Sequence, residues 1–300
     1  MKKALIFGSN GLLGQSLVKR FAGEYEITGA AAEDTNYISS VGMDYHKIDI
    51  ANRAQLQQLL NNISPDLIIN AAAYTNVDKS EIERELCWNV NVRGVENIVE
   101  SGLGGKSTLV HISTDYVFDG SVPPYRETDR PNPKGNYARS KMASENIVKS
   151  SDFEYMIIRT QVLYGTGNNV RLNFVTWVID QLTKGETVKI AFDQIGKPTY
   201  APDVSEAIYR LLNEKCFGLY HVSGKESINR YDLALKIAKV FDLDKNLIES
   251  ISTKELKQLA PRPMNSSFIL DKLYNNIGWL PHDVDSGLQL LKEELKEHNG

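Results

Sequence analysis

Cysteine is almost missing: the 300 residues hold two, Cys87 and Cys216, far apart and with no CxxC or Cys/His spacing near either. That excludes a disulfide framework and a cysteine-ligated zinc site, and leaves two reduced core thiols as the expectation. No apolar run approaches the roughly eighteen residues of a membrane span. The opening MKKALIFGSNG has too short an apolar stretch for a signal sequence. Nor is there an excess of cations: 34 Lys and Arg against 38 Asp and Glu give a formal charge of −4, which argues against broad nucleic-acid binding. The expectation is a cytoplasmic protein with no membrane or nucleic-acid partner. Its length suits one large α/β unit or two coupled ones.

What is present is an alternation. ALIF (4 to 7), YEITGA, YHKIDI, DLIINAAAY and TLVHISTDYVF are short apolar runs, and segments of helical period such as LLGQSLVKRF, RAQLQQLLNNI and EIERELCWNVNVRGVENIVE lie between them. Continuous runs such as Leu67-Ile68-Ile69 suit strands covered on both faces. The pattern predicts an α/β fold with a Rossmann-type doubly wound parallel sheet, whose ligand lies at the carboxyl ends of the strands. After YMIIRTQVLYG (155 to 165) the rhythm shortens. This divides the chain into residues 1–165 and a smaller α/β unit over 166–300, with a return to the first sheet expected at 199–214. The loop at 119 to 136 is long and rich in proline, a length usually functional or disordered.

GSNGLLG puts Gly8, Gly11 and Gly14 between the first strand and a helix. Glycines there let a pyrophosphate approach the amides of the helix N-terminus. An isolated GxxGxxG is a plain turn about as often as a site, but its place at the start of a βαβ pattern favours a dinucleotide. The second strand ends in TGAAAEDTN, with Glu33 and Asp34 late and no arginine, so the cofactor is NADPH or NADH without a choice between them.

YARSK (137 to 141) spaces Tyr137 and Lys141 four apart, on one face of a helix. A tyrosine is a poor acid at its free pKa of about 10, and a close ammonium lowers that value. Such a phenol can protonate a carbonyl oxygen while hydride reaches the carbon. Alone the pair is a common accident of exposed helices. Here HISTDYVFDG brings the hydroxyls of Ser113 and Thr114 to the same edge of the sheet, where a hydroxyl can polarise a carbonyl.

These motifs, with NAAAYT (70 to 75) and NVNVRG (89 to 94), resemble the extended short-chain dehydrogenases/reductases. STDYVFDG, PYRETDRPNPKGNYARSK, DQIGKPT (193 to 199) and RPMNSSFILDKL (262 to 273) are similar to the dTDP-4-dehydrorhamnose reductase family over nearly the whole length. The resemblance implies an NAD(P)-binding unit at 1–165 and a substrate unit at 166–300, together reducing the 4-keto group of a nucleotide-linked 6-deoxysugar. It makes Thr114 the carbonyl-orienting hydroxyl, Tyr137 the acid, and Lys141 the residue that tunes the acid and grips the nicotinamide ribose. It implies Gly8, Gly11, Leu12, Leu13 and Gly14 at the pyrophosphate, Asp49 and Ile50 beside adenine, and Ala72, Ala73 and Tyr74 along the cofactor. Asn91 would support Lys141 through water. Val77, Thr114, Asp115, Tyr116, Val162, Asn169 and Arg262 are the substrate candidates, and Arg262 meets a diphosphate or forms a surface ion pair.

Two departures stand out. Where rhamnose-forming members typically carry a sugar-packing tryptophan, this chain has Val162, with far less stacking surface. Where some members use a glutamate to dimerise around magnesium, it has Ser16, so no metal is expected and a homodimer stays open. His111, inside an apolar run, reads as a hydrogen-bonded core residue, and Trp88, Trp177 and Trp279 as core. From another class, a non-catalytic subunit like methionine adenosyltransferase β shares the fold and many motifs, as does a nucleotide-sugar epimerase.

Overall fold

The computed structural model describes residues 1–38 and 42–299. Six strands from residues 2–160, β1 (Lys2–Phe7), β2 (Tyr25–Ala31), β3 (Asp44–Lys47), β4 (Leu67–Asn70), β5 (Thr108–Thr114) and β6 (Glu154–Thr160), join Gly218–His221 in one sheet. From one edge the order is Gly218–His221, β6, β5, β4, β1, β2, β3, and every pairing is parallel. The expected Rossmann-type sheet is therefore observed. Its direction of winding changes between β1 and β4, so a crevice opens there at the carboxyl ends.

The alternation of side chains along each strand divides the apolar runs between two cores. Ala4, Ile6, Ile69, Val110 and Ile158 face one way, onto Leu17, Val18 and Phe21 of helix Leu12–Phe21 and Val204, Ile208 and Leu211 of helix Ala201–Asn213. Leu5, Phe7, Ile68, Leu109 and Ile157 face the other, onto Leu56 and Leu60 of helix Arg53–Ile63, Ile98 of Gly94–Val99 and Val148 of Asn136–Lys149. Each fully buried side chain of this size contributes about 1.5–3 kcal/mol, so a one-residue slip of any strand, exchanging its two faces, is strongly disfavoured. Register is thereby fixed, and with it which residue ends each strand.

A third core joins helices Phe174–Thr183, Arg230–Phe241 and Val284–Asn299 to the parallel pair Val188–Ala191 and Ile248–Ile251. The long loop after β5 is ordered. Phe118 and Tyr125 stack at 4.0 Å and pack with Phe268, and the Tyr125 amide donates to Ser267 O at 2.8 Å. Trp88 corrects an expectation: it is 38 % exposed, not core, and its Nε1 donates to Asn136 Oδ1 at 2.9 Å. Cys87 and Cys216 are free thiols, the first buried and the second half-buried. Among the described residues no helix is long and apolar enough to cross a membrane.

Candidate active site

The glycine turn is set by close packing. Gly8 ends β1 at φ +75°, and a Cβ there would lie 2.7 Å from the Ala72 amide nitrogen, while one on Gly14 would lie 2.0 Å from Gly8 O. Both must be glycine for the turn to seat against the end of β4. Gly11 is the N-cap of helix Leu12–Phe21 and supplies no side-chain cap, so the first-turn amides, including those of Leu12 and Leu13, are left for an anion. The turn is also pinned by side chains. Asn10 Nδ2 donates to Thr35 O at 2.9 Å and to Glu33 Oε2 at 3.3 Å, and Gln15 ties it to Asn168 through bonds of 2.7 and 2.9 Å. The segment bearing exposed Asn169 is thus docked on the glycine loop. Asp34 pairs with Lys47 at 2.7 Å, an exposed bridge. A dinucleotide pyrophosphate fits this turn.

Around the sheet edge, Ile50 is buried against helix Gly94–Val99, where a Cβ on Gly94 would come within 2.6 Å of its Cδ1. Asp49 Oδ1 accepts the Ala51 amide at 2.9 Å. Asn91 sits in a π-helical turn, Asn89–Arg93, a geometry frequent at functional sites. It accepts from the Tyr74 amide at 2.8 Å and donates to Ser140 Oγ at 2.9 Å, holding the Ala72–Tyr74 stretch against the helix of Tyr137. Its direct partners are Tyr74, Cys87 and Ser140 rather than Lys141.

Helix Asn136–Lys149 begins at Gly135, which has no capping side chain of its own. The cap comes from a distant turn: Glu81 Oε1 accepts the Asn136 amide at 2.7 Å and Ser80 Oγ accepts the Tyr137 amide at 3.2 Å. This fixes the first turn, and Tyr137 with it. Tyr137 is half-buried, and the Tyr116 ring, two residues beyond Thr114, meets its ring edge-on at 6.1 Å. Burial pushes the phenol well above its ordinary pKa, with the Thr114 hydroxyl opposing the shift. In the chain without ligand, then, burial sets the direction, not the lowering by Lys141 expected from the sequence.

Lys141 is 2 % exposed, and burial brings its pKa down to about 8 against the raising field of Glu145. Its Nζ lies 3.4 Å from His111 Nε2. His111, buried and hydrogen-bonded as expected, touches Ser144 Oγ at 2.9 Å and Asn70 Nδ2 at 3.3 Å. Since Asn70 Oδ1 accepts the Ala72 amide, Asn70 presents a donor to Nδ1, which places the imidazole proton on Nε2. Burial and the Lys141 charge hold His111 far below its usual pKa, hence neutral.

Ser113 does not share this edge with Thr114. Adjacent strand residues point to opposite faces, and Ser113 Oγ donates to the buried Glu145 carboxylate at 2.6 Å, which Arg159 grips through Nε and Nη2 at 2.8 and 2.7 Å. Thr114 Oγ1 donates to Asp115 Oδ1 at 3.1 Å, and Ser266 donates to Asp115 Oδ2. Burial raises the Asp115 carboxyl to about 6. Arg262 forms an ion pair, Nη1 and Nη2 to the two Asp78 oxygens at 2.9 and 2.8 Å, beside Tyr116. Val77 precedes that aspartate, its carbonyl accepting from Ser80 Oγ at 2.6 Å. Val162 holds φ at +46°, a left-handed conformation rare for a β-branched residue. Ser16 bonds Ser205 at 2.8 Å.

Against known proteins, the family model described as the RmlD substrate binding domain matches residues 1–296. The chain belongs to the RmlD family. Its RmlD relatives include the dTDP-4-dehydrorhamnose reductase of Aggregatibacter actinomycetemcomitans, 32% identical over 97% of this chain and 99% of that one. The crystal structure of dTDP-4-dehydrorhamnose reductase from Bacillus anthracis in complex with NADP superposes with a TM-score of 0.85 at 34% identity, over 98% of this chain and 100% of that one. The methionine adenosyltransferase 2 subunit beta of Xenopus tropicalis is 29% identical over 91% of this chain and 81% of its own. As an RmlD-family member the chain is an extended short-chain dehydrogenase/reductase, with the parallel sheet that class requires.

Sequence reasoning passed over four groups that the fold brings to this site: Arg230, Ser80, Glu81 and Gln15. Arg230 enters from the third core, and no local motif marks it. Its only sequence signal is a cation directly after an N-capping asparagine, Asn229.

Proposed function

We propose that the chain is an NAD(P)H-dependent reductase of the 4-keto group of a nucleotide-linked 6-deoxysugar, with dTDP-4-dehydrorhamnose, named for its relatives, as substrate. The observation that carries this reading is that Thr114, at the carboxyl end of its strand, and Tyr137, in the first turn of the helix that bears Lys141, are brought to one edge of the sheet by the Tyr116–Tyr137 ring contact, with an uncapped glycine turn at the same edge. Two hydroxyls on one edge suit a carbonyl oxygen. A bound nicotinamide supplies the hydride. Thr114 orients the carbonyl, and Tyr137 gives its proton to the oxygen as charge develops there. The high pKa that burial imposes keeps the phenol protonated until that moment. The Lys141 ammonium, beside the imidazole N–H of His111, has donors to give, and in this reading it gives them to the ribose hydroxyls of the nicotinamide. Gly8 to Gly14 take the pyrophosphate, Asp49 and Ile50 the adenine, and Ala72 to Tyr74 the length of the cofactor.

In this reading residues 1–165 serve the cofactor and 166–300 the sugar nucleotide. Val77, Asp115, Tyr116, Val162, Asn169 and Arg262 stand around the substrate, and Arg262 acts there as an ion pair with Asp78. A second reading, a cofactor-binding subunit of another enzyme, draws on the methionine adenosyltransferase relatives. Oxidation of NADPH or NADH in the presence of dTDP-4-dehydrorhamnose separates the two. Tight NADP binding with no turnover, and co-purification of a larger enzyme, would select the subunit.

A further inference from the structure

Arg230 opens helix Arg230–Phe241, its own amide donating to Gln194 O at 3.0 Å and Asn229 capping the turn. Its guanidinium carbon stands 4.7 Å from the centre of the Phe174 ring, and Nη1 is sealed from solvent without a hydrogen-bond partner. Among the described residues no carboxylate lies within ion-pair distance of it. The groups whose fields reach it are Asp115, Tyr116 and the second arginine, Arg262. Arg262 is already satisfied by Asp78 and by Ala260 O. Asp115 is engaged by Thr114 and Ser266. Sealing one guanidinium nitrogen from water without a partner is unfavourable, and the ring face offsets only part of that. The chain therefore carries, near its reacting carbonyl site, a half-buried cation with one sealed, unpaired nitrogen and no anion of its own.

We propose that Arg230 binds the diphosphate of the nucleotide sugar. This rests on the reductase reading, in which the only anionic group of the substrate is that diphosphate. The diphosphate leaves the sugar at C1, across the ring from C4, so a ketone held by Thr114 and Tyr137 projects it past Asp115 and Tyr116, towards the arginine their fields reach. Arginine suits the task because its fork can give two parallel bonds to phosphate oxygens.

The test needs no turnover. The full chain, loaded with NADP, is titrated calorimetrically with dTDP and separately with uncharged thymidine, as wild type, Arg230→Lys and Arg230→Met. Wild type should bind dTDP, Arg230→Met about 10- to 100-fold more weakly, the span for a lost charge-assisted bond, and Arg230→Lys in between. Thymidine and NADP affinities should be unchanged. Without ligand, Arg230→Met should melt at or above the wild-type temperature, because an uncompensated cation has been removed. Equal dTDP affinity in wild type and Arg230→Met, an equal loss for thymidine, or a lower melting temperature of the unliganded variant would each overturn the assignment while leaving the reductase reading standing. Wild type that binds no dTDP would overturn both.

Discussion

Asp115 gives a prediction whose size follows from its surroundings. The carboxyl is 3 % exposed and rises from the ordinary 3.8 to about 6, because burial outweighs the hydrogen bonds from Ser266 and Thr114. Two pH units correspond to about 3 kcal/mol. The sign is that of a raised acid: between pH 4 and 6 the folded chain keeps a proton the unfolded chain has lost, so this contribution is whole below pH 4 and disappears as pH climbs through 6. Asp115→Asn abolishes the titration while keeping the shape. The lost or altered hydrogen bonds shift the variant by a roughly constant amount, whereas the titration changes the gap with pH. Urea unfolding at half-unit steps from pH 4 to 7.5 should show wild type losing about 3 kcal/mol relative to Asp115→Asn. A gap that stays constant within 1 kcal/mol would refute the claim that this carboxyl is desolvated.

Tyr137→Phe should cut turnover by a factor on the order of 100 to 10,000 and leave cofactor affinity nearly intact, and a near-normal rate would remove Tyr137 as the acid. With Lys141 near pKa 8, its ammonium is lost as pH rises through that value, so kcat/KM should fall above about pH 8. Lys141→Arg, whose charge does not titrate there, should abolish that limb. Val162→Asn, which tolerates the left-handed backbone, should gain about 1 kcal/mol in stability and raise KM for the sugar substrate, and a loss of stability would mean the conformation carries no strain.

The sheet was readable because its signal is local and repeated. Runs such as Leu67-Ile68-Ile69 can only be buried on both faces, and register then places Thr114 and the glycine turn at one edge. The Tyr137 to Lys141 spacing was legible for the same reason, being a property of one helix. What the sequence hid depends on distant contacts. The direction of the Tyr137 pKa follows from enclosure by other segments, and Ser113 looked equivalent to Thr114 until alternation on β5 turned it towards Glu145. Trp88 was misjudged because its indole satisfies its N–H at Asn136 on the surface. Arg230 left only the faint signal of a cation after a capping asparagine, since what distinguishes it is a missing partner.

The turn that caps the helix of Tyr137 is also the one that holds Arg262. Asp78 chelates the arginine and takes the Ala260 amide at 2.9 Å, and two and three residues later Ser80 and Glu81 anchor the first turn of the other element. Asp78, Ser80 and Glu81 thus act as a yoke between the RPMNSS segment and the proton donor. Neither end can shift without dragging the other, so tolerance for substitution at 260–262 is limited by chemistry performed at Tyr137, although no side chain there touches the phenol's proton. Laboratory evolution of sugar preference through this segment will have to carry compensating changes at Asp78, Ser80 or Glu81.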